Sequence, residues 1–269
     1  MKNRSSGQPT AHGMRVKKEH GQNFLRDERV LHEITQAVKL ENSNVLEIGC
    51  GDGALTAALL LNKINKLVVY EIDPEWAAYV KNILVDDRLT ILQENFLDAD
   101  LEKSLIDNNF VDKKWVVAAN LPYHVTFPIL RKFVSINYKL SEGVIMVQEE
   151  VAQRIVANTG RSYGYISIYF QYFFDWKLLS KVSPNSFYPA PKVFSRLIHF
   201  RPRIDQPEII NFDEFWLFIK AAFSQPRRML RNCLASYHYD LTKIDEKFLA
   251  MRAQQLKPTE LLAIWHKLN

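Results

Sequence analysis

The segment that most constrains this chain is a glycine-rich turn. Gly49-Cys50-Gly51-Asp52-Gly53 follows the aliphatic run Asn44 to Ile48 and precedes the helical stretch Ala54 to Leu61. A strand that turns on glycines into a helix opens a βαβ unit, because glycine lets the backbone turn sharply and lets a ligand approach it closely. Glu71 ends the next strand, 20 residues beyond Gly51. A carboxylate placed there can accept hydrogen bonds from both hydroxyls of a ribose.

The alternation continues downstream. Further strands are expected at Lys66 to Glu71, Leu89 to Leu92, Trp115 to Asn120, Gly143 to Gln148, Trp176 to Val182 and Phe194 to Phe200, which with Asn44 to Ile48 makes seven. Helical periods fill the gaps at Pro74 to Val85, Phe127 to Val134, Glu149 to Val156 and Tyr165 to Phe174, and Asp27 to Lys39 leads the first strand. The fold class is therefore α/β, a Rossmann-like seven-stranded parallel architecture. After the proline-containing linker Arg201 to Pro207 the pattern is helical only: Asp213 to Phe223, Arg227 to Tyr237, Leu241 to Leu249 and Thr259 to Leu268. Three parts are expected: a basic, flexible N-terminal segment over 1–18, a main α/β domain over 19–202, and a small all-helical domain over 207–269.

With 47% hydrophobic and 24% charged residues over 269 positions, the chain can bury a core, and no apolar run is long enough to span a bilayer. The basic, polar first residues lack an apolar stretch behind them, so a cytoplasmic chain without membrane contact is expected. Cys50 and Cys233 are too few for a disulfide framework or a zinc cluster and are read as packing residues. The seven histidines show no metal-like spacing, so no metal is expected; His124 reads as a loop hydrogen-bonder. Net charge is +5, concentrated at the ends, with +4 in residues 1–20 and +3 in residues 201–269. Basic ends around a slightly acidic centre suit the neutralisation of phosphates, and equally suit solvated surfaces.

Glu47, inside the glycine-loop motif, separates two ligand classes. Facing the loop, it would repel a pyrophosphate but tolerate the cationic end of S-adenosylmethionine. A second motif, Asn120-Leu121-Pro122-Tyr123, closes the fourth strand at the sheet edge where ligands of such folds bind. An aromatic amine is a poor nucleophile because its lone pair is delocalised. The Asn120 carbonyl and the Leu121 backbone carbonyl can accept hydrogen bonds from such an amine and turn its lone pair toward a methyl donor. Pro122 fixes the turn and Tyr123 offers a stacking face. Phe187 to Val193 forms a rigid aromatic and proline loop whose ring can sandwich an extruded base against Tyr123. Arg227, Arg228 and Arg231, at helical spacing, form a basic stripe suited to an RNA backbone.

Taken with His20-Gly21-Gln22-Asn23-Phe24-Leu25, Glu71-Ile72-Asp73, Gln148-Glu149-Glu150-Val151 and Arg227 to Leu234, these motifs give a chain that resembles the small-subunit (16S-type) ribosomal RNA adenine N6,N6-dimethyltransferases over nearly its whole length. The resemblance implies an S-adenosylmethionine-dependent methyltransferase that dimethylates two adjacent adenines of small-subunit RNA, or its precursor particle, during ribosome biogenesis. It implies that Asn23 and Leu25 close over the cofactor, that Gly49, Gly51 and Ile72 line its pocket, and that Glu71 holds its ribose. Asn95 stands where the family carries an Asp for the adenine amino group, which implies weaker cofactor binding. Asn120 to Tyr123 map onto the catalytic motif, with Asn120 also among the cofactor-binding residues, and Phe187 onto the aromatic that packs on the target base; the resemblance makes 19–202 the catalytic domain and 207–269 the RNA-binding one. Lys17, Lys18 and Lys192, with the three arginines, are the RNA-contact candidates, and a monomer is the default. Two rivals share these features: a large-subunit (23S) adenine dimethyltransferase of the antibiotic-resistance type, and a non-catalytic ribosome assembly factor.

Overall fold

The aliphatic runs form strands as their composition demands. In a computed structural model that describes residues 9–17, 21–101, 103 and 114–269, one sheet contains β1 (Asn44–Ile48), β2 (Lys66–Tyr70), β3 (Leu89–Leu92), β4 (Trp115–Asn120), β5 (Leu140–Gln148), β6 (Phe174–Val182) and β7 (Ser195–Pro202). Their order is β3-β2-β1-β4-β5-β7-β6. β1 pairs in parallel with both β2 and β4, β2 with β3, and β4 with β5, while β7 runs antiparallel to β5. Every residue of β1 is buried, the mark of a central parallel strand covered on both faces. Strand order reverses at β1, so a crevice opens beyond the carboxyl ends of β1 and β4. The glycine turn and the Asn120 turn meet there.

The expected seven strands are present, with β5 beginning three residues earlier than the pattern suggested. The chain's division differs from the expected one. One compact unit comprises residues 1–149 and 177–202, and the other comprises residues 150–176 and 203–269. The helix Tyr165–Phe173 thus belongs with the C-terminal helices, whose core contains Phe215, Trp216, Phe218, Leu261 and Trp265. Its aromatic-rich surface, including Tyr165, Tyr169 and Phe173, packs on that core. Among the described residues, no helix is long and apolar enough to cross a membrane.

The expected helix Arg227 to Tyr237 is only Leu230–Leu234. Met229 is extended, and the Leu230 amide donates to the Met251 carbonyl at 2.7 Å rather than to the preceding turn. Arg227 and Arg228 therefore lie in a turn, and the one-sided stripe with Arg231 is not formed. The expected helix Leu241 to Leu249 is likewise broken, into a 3-10 turn at Leu241–Lys243 and a short helix at Glu246–Leu249.

The N-terminal segment also departs from expectation where it is described. Thr10–Ala11 and Met14–Arg15 pair as a hairpin around His12 and Gly13, whose φ values of +50° and +79° match a type I′ turn. Ala11 and Val16 are buried with Phe24 and Trp76. Residues 1–8 and Lys18 lie outside the described residues.

Gly143 is a tightly packed point of the sheet. A Cβ there would stand 2.9 Å from Val117 Cβ and closer still to the Phe200 ring. Gly143→Ala is expected to lower stability by about 1–3 kcal/mol through overpacking, read as a reduced Tm in thermal denaturation; an unchanged Tm would contradict this packing.

Candidate active site

The crevice is a cleft with a cavity volume of about 200 Å³. Asn23, Leu25, Gly49, Gly51, Glu71, Ile72, Asn95 and the whole turn Asn120 to Tyr123 line it. Residues nearly 100 positions apart in sequence are thus gathered at one sheet edge.

Glu71 is nearly buried and fastens the glycine loop. Its Oε2 accepts from the Gly51 amide at 3.1 Å and its Oε1 from the Asp73 amide at 2.9 Å. The Cys50 thiol donates to Oε2 at 3.6 Å, so Cys50 also orients this carboxylate besides packing. Oε1 retains a lone pair for a ribose hydroxyl, while Oε2 can accept one only in place of the weak thiol contact. Burial raises the Glu71 pKa, and the backbone donors oppose that rise. Asp73 in turn caps the helix Pro74–Ile83 through the Glu75 amide and accepts from Gln22 Nε2 and Lys17 Nζ, both at 2.8 Å.

Gly49 has a φ of +78°, and a Cβ added to it would meet nothing within 4 Å. Its backbone therefore faces open space, which a side chain would fill and a closely approaching ligand can use. Glu47 lies at the base of this space and is fully buried rather than exposed to the loop. Its Oε2 accepts from Thr56 Oγ1 at 2.8 Å, while Oε1 has no hydrogen-bond partner among the described residues. Burial raises its pKa from 4.5 to about 8, so at neutral pH the group carries a proton. An orphaned carboxyl oxygen, an open glycine backbone and a ribose-type carboxylate together fit a cationic nucleoside such as S-adenosylmethionine.

At the opposite wall, Asn120 Nδ2 donates to the Asn23 carbonyl at 3.2 Å, and Asn23 Nδ2 donates to the Gly21 carbonyl at 3.0 Å. The first bond assigns the Asn120 amide: nitrogen faces the protein, and the oxygen is left for a ligand donor. The Leu121 amide is fixed on the Met146 carbonyl at 3.1 Å. Tyr123 is hydrogen-bonded through its hydroxyl to Ser195 Oγ at 2.6 Å, which holds the half-buried ring at the cleft. Ser195 had no local signal in sequence, since only the antiparallel placement of β7 brings it to this turn.

Several expectations need correction. Phe187 is only 5% exposed, is strand-paired with Leu25, belongs to the same apolar core as Val182 and Leu197, and is not among the residues that line the cleft. Lys17 is tied to Asp73 at 2.8 Å and to Glu75 at 3.1 Å. That internal pairing raises its pKa, chiefly through the Asp73 hydrogen bond, and leaves it poorly placed for RNA. Arg231 is ion-paired with Glu246. Lys192, Arg227 and Arg228 are exposed.

Fold and cleft define the class: a Rossmann-like S-adenosylmethionine-dependent methyltransferase. The family description "Ribosomal RNA adenine dimethylase" matches residues 13–265. The chain is 36% identical over 260 residues to "Ribosomal RNA small subunit methyltransferase A" of Mycoplasma mobile, covering 94% of this chain and 98% of the relative. It is 37% identical to the protein of that name from Geobacter metallireducens, covering 82% and 81%. Its fold is shared with a dimethyladenosine transferase from Plasmodium falciparum, at a TM-score of 0.73, 24% identity and coverage of 90% and 95%. It is shared also with the 23S rRNA methyltransferase ErmE, at a TM-score of 0.70, 21% identity and coverage of 91% and 99%. The chain belongs to the ribosomal RNA adenine dimethylase family.

The Glu47 proton makes a testable link between pH and stability. Because the folded pKa lies above the unfolded one, the unfolded chain binds fewer protons in between, and stability falls as pH rises from 4.5 to about 8. The slope from this group is at most about 1.4 kcal/mol per pH unit. Glu47→Gln is expected to flatten that part of the profile in chemical denaturation of the ligand-free protein; an unaltered profile would contradict the protonated state.

Proposed function

We propose that this chain transfers methyl groups from S-adenosylmethionine to the N6 amines of two adjacent adenines in small-subunit (16S) ribosomal RNA, acting in the cytoplasm during small-subunit biogenesis. The observation that carries the reading is the orientation of Asn120 at the cleft that also holds Glu71 and Gly49. The names of relatives at about 35% identity over most of the chain support the small subunit as the source of the RNA.

S-adenosylmethionine supplies an electrophilic methyl group on a cationic sulfur. Everything else required of the protein is placement. Glu71 and the Gly49 backbone hold the nucleoside part, and the Asn23 to Leu25 strand covers it. Asn120 Oδ1 and the Leu121 backbone carbonyl accept the two N–H bonds of an adenine amine, which keeps its lone pair directed at the methyl carbon. Tyr123, locked on Ser195, supports the ring by stacking. Once methylated, the nitrogen is briefly cationic and acidic, and its proton leaves to solvent without a strong base. After one transfer a single N–H remains, so a second transfer needs only one of the two carbonyl acceptors. The exposed Lys192, Arg227 and Arg228 offer charge for RNA phosphates.

Asn120→Ala is expected to reduce methyl transfer to undermethylated small subunits by about 10²-fold or more, with S-adenosylmethionine affinity by calorimetry little changed. Wild-type activity in this variant would overturn the assignment.

A further inference from the structure

Asn95 sits in the turn after β3, on the rim of the cleft. Both ends of its side-chain amide are engaged. Oδ1 accepts from the Leu97 amide at 3.1 Å, and Nδ2 donates to Asp98 Oδ2 at 2.7 Å. A backbone donor on one side and a carboxylate on the other are compatible with only one of the two amide orientations. Each end keeps half its capacity, since Oδ1 has a second lone pair and Nδ2 a second hydrogen.

The turn that carries this pair is itself anchored. Phe96 is buried, with its ring 5.3 Å from Tyr70 and 5.8 Å from Phe133. Lys132 Nζ donates to the Leu97 carbonyl at 2.8 Å and the Ala99 carbonyl at 2.6 Å, bracketing Asp98. The amides of Asp98 and Ala99 both return to the Asn95 carbonyl, at 2.9 and 3.1 Å. Asp98 is exposed and does not line the cleft, so it acts through Asn95.

We propose that Asp98 is a positioning residue for recognition of the cofactor's base: it fixes the Asn95 amide so that the remaining lone pair of Oδ1 accepts from the exocyclic amine of adenine. The inference rests on the reading that Asn95 meets that amine. It alters what Asn at this position means. An Asp at 95 would set two carboxylates within hydrogen-bonding distance and repel Asp98, so in this chain Asn95 and Asp98 form a matched pair and Asp is not the better residue.

The test is calorimetric binding, to the full chain, of S-adenosylhomocysteine and of its analogue with hypoxanthine in place of adenine, which lacks the amine. Wild type is expected to prefer the adenine ligand. Asp98→Ala and Asn95→Ala should each reduce that preference by about three- to tenfold, the range of one hydrogen bond, while Asp98→Asn, which keeps an acceptor, retains most of it. Asn95→Asp should bind S-adenosylhomocysteine more weakly than wild type, and the double variant Asn95→Asp/Asp98→Asn should recover. Loss of preference in Asn95→Ala but not in Asp98→Ala would overturn the positioning role and leave the Asn95 reading standing. Preference unchanged in both would overturn that reading and the proposal with it. Circular dichroism of each variant separates these results from misfolding, since Phe96 and Lys132 still anchor the turn.

Discussion

The carboxylate of Glu71 is the joint on which the cleft depends. At the end of β2 it holds the Gly51 amide on one oxygen and the Asp73 amide on the other, so the glycine loop after β1 and the chain after β2 move as one piece. Asp73 extends the joint by holding Gln22 and Lys17. One residue beyond Gln22, the Asn23 carbonyl receives Asn120. One run of contacts therefore leads from the glycine loop, through two buried carboxylates, to Asn120 at the cleft. A buried carboxylate is destabilised by lost hydration unless donors replace the water, and here backbone amides and a thiol do so. Those donors leave acceptor capacity on the side a ribose can reach.

This arrangement suits a reaction in which the chemical drive comes with the methyl donor. Alignment of donor and acceptor converts binding energy into rate, and alignment is what the network supplies. Asn120 is tied through its nitrogen, Leu121 through its backbone, and Tyr123 through its hydroxyl, so each presents its remaining group without freedom to turn away. Glu47 adds an electrostatic element. Its fully buried carboxyl borders the cleft, with one oxygen that has no partner among the described residues.

Much of this was legible in the chain. Glycines after an aliphatic strand, a carboxylate twenty residues on and the Asn-Leu-Pro-Tyr turn are local signals, because they report on backbone geometry and on functional groups that stand beside one another. What escaped was set by distant partners. Lys17 reads as a free cation until the buried Asp73 is seen to claim it. Phe187 reads as a stacking ring until the Phe24–Leu25 strand covers it. The His12-Gly13 turn was in principle readable as a type I′ hairpin, but its flanking strands are only two residues each, too short for an alternating pattern. Ser195 and Lys132 make contacts that only the fold creates. The helices 149–156 and 165–173 showed their period but not the unit they join, since an amphipathic face does not name the core that buries it.

The atom that accepts the methyl group, and the RNA that carries it, decide the function. Purified protein incubated with labelled S-adenosylmethionine and with separate small and large ribosomal subunits lacking adenine dimethylation, followed by nucleoside analysis, reads both. Labelled N6,N6-dimethyladenosine confined to the small-subunit RNA is the predicted result. Label confined to large-subunit RNA, or no transfer to either while the methyl donor binds, would contradict it.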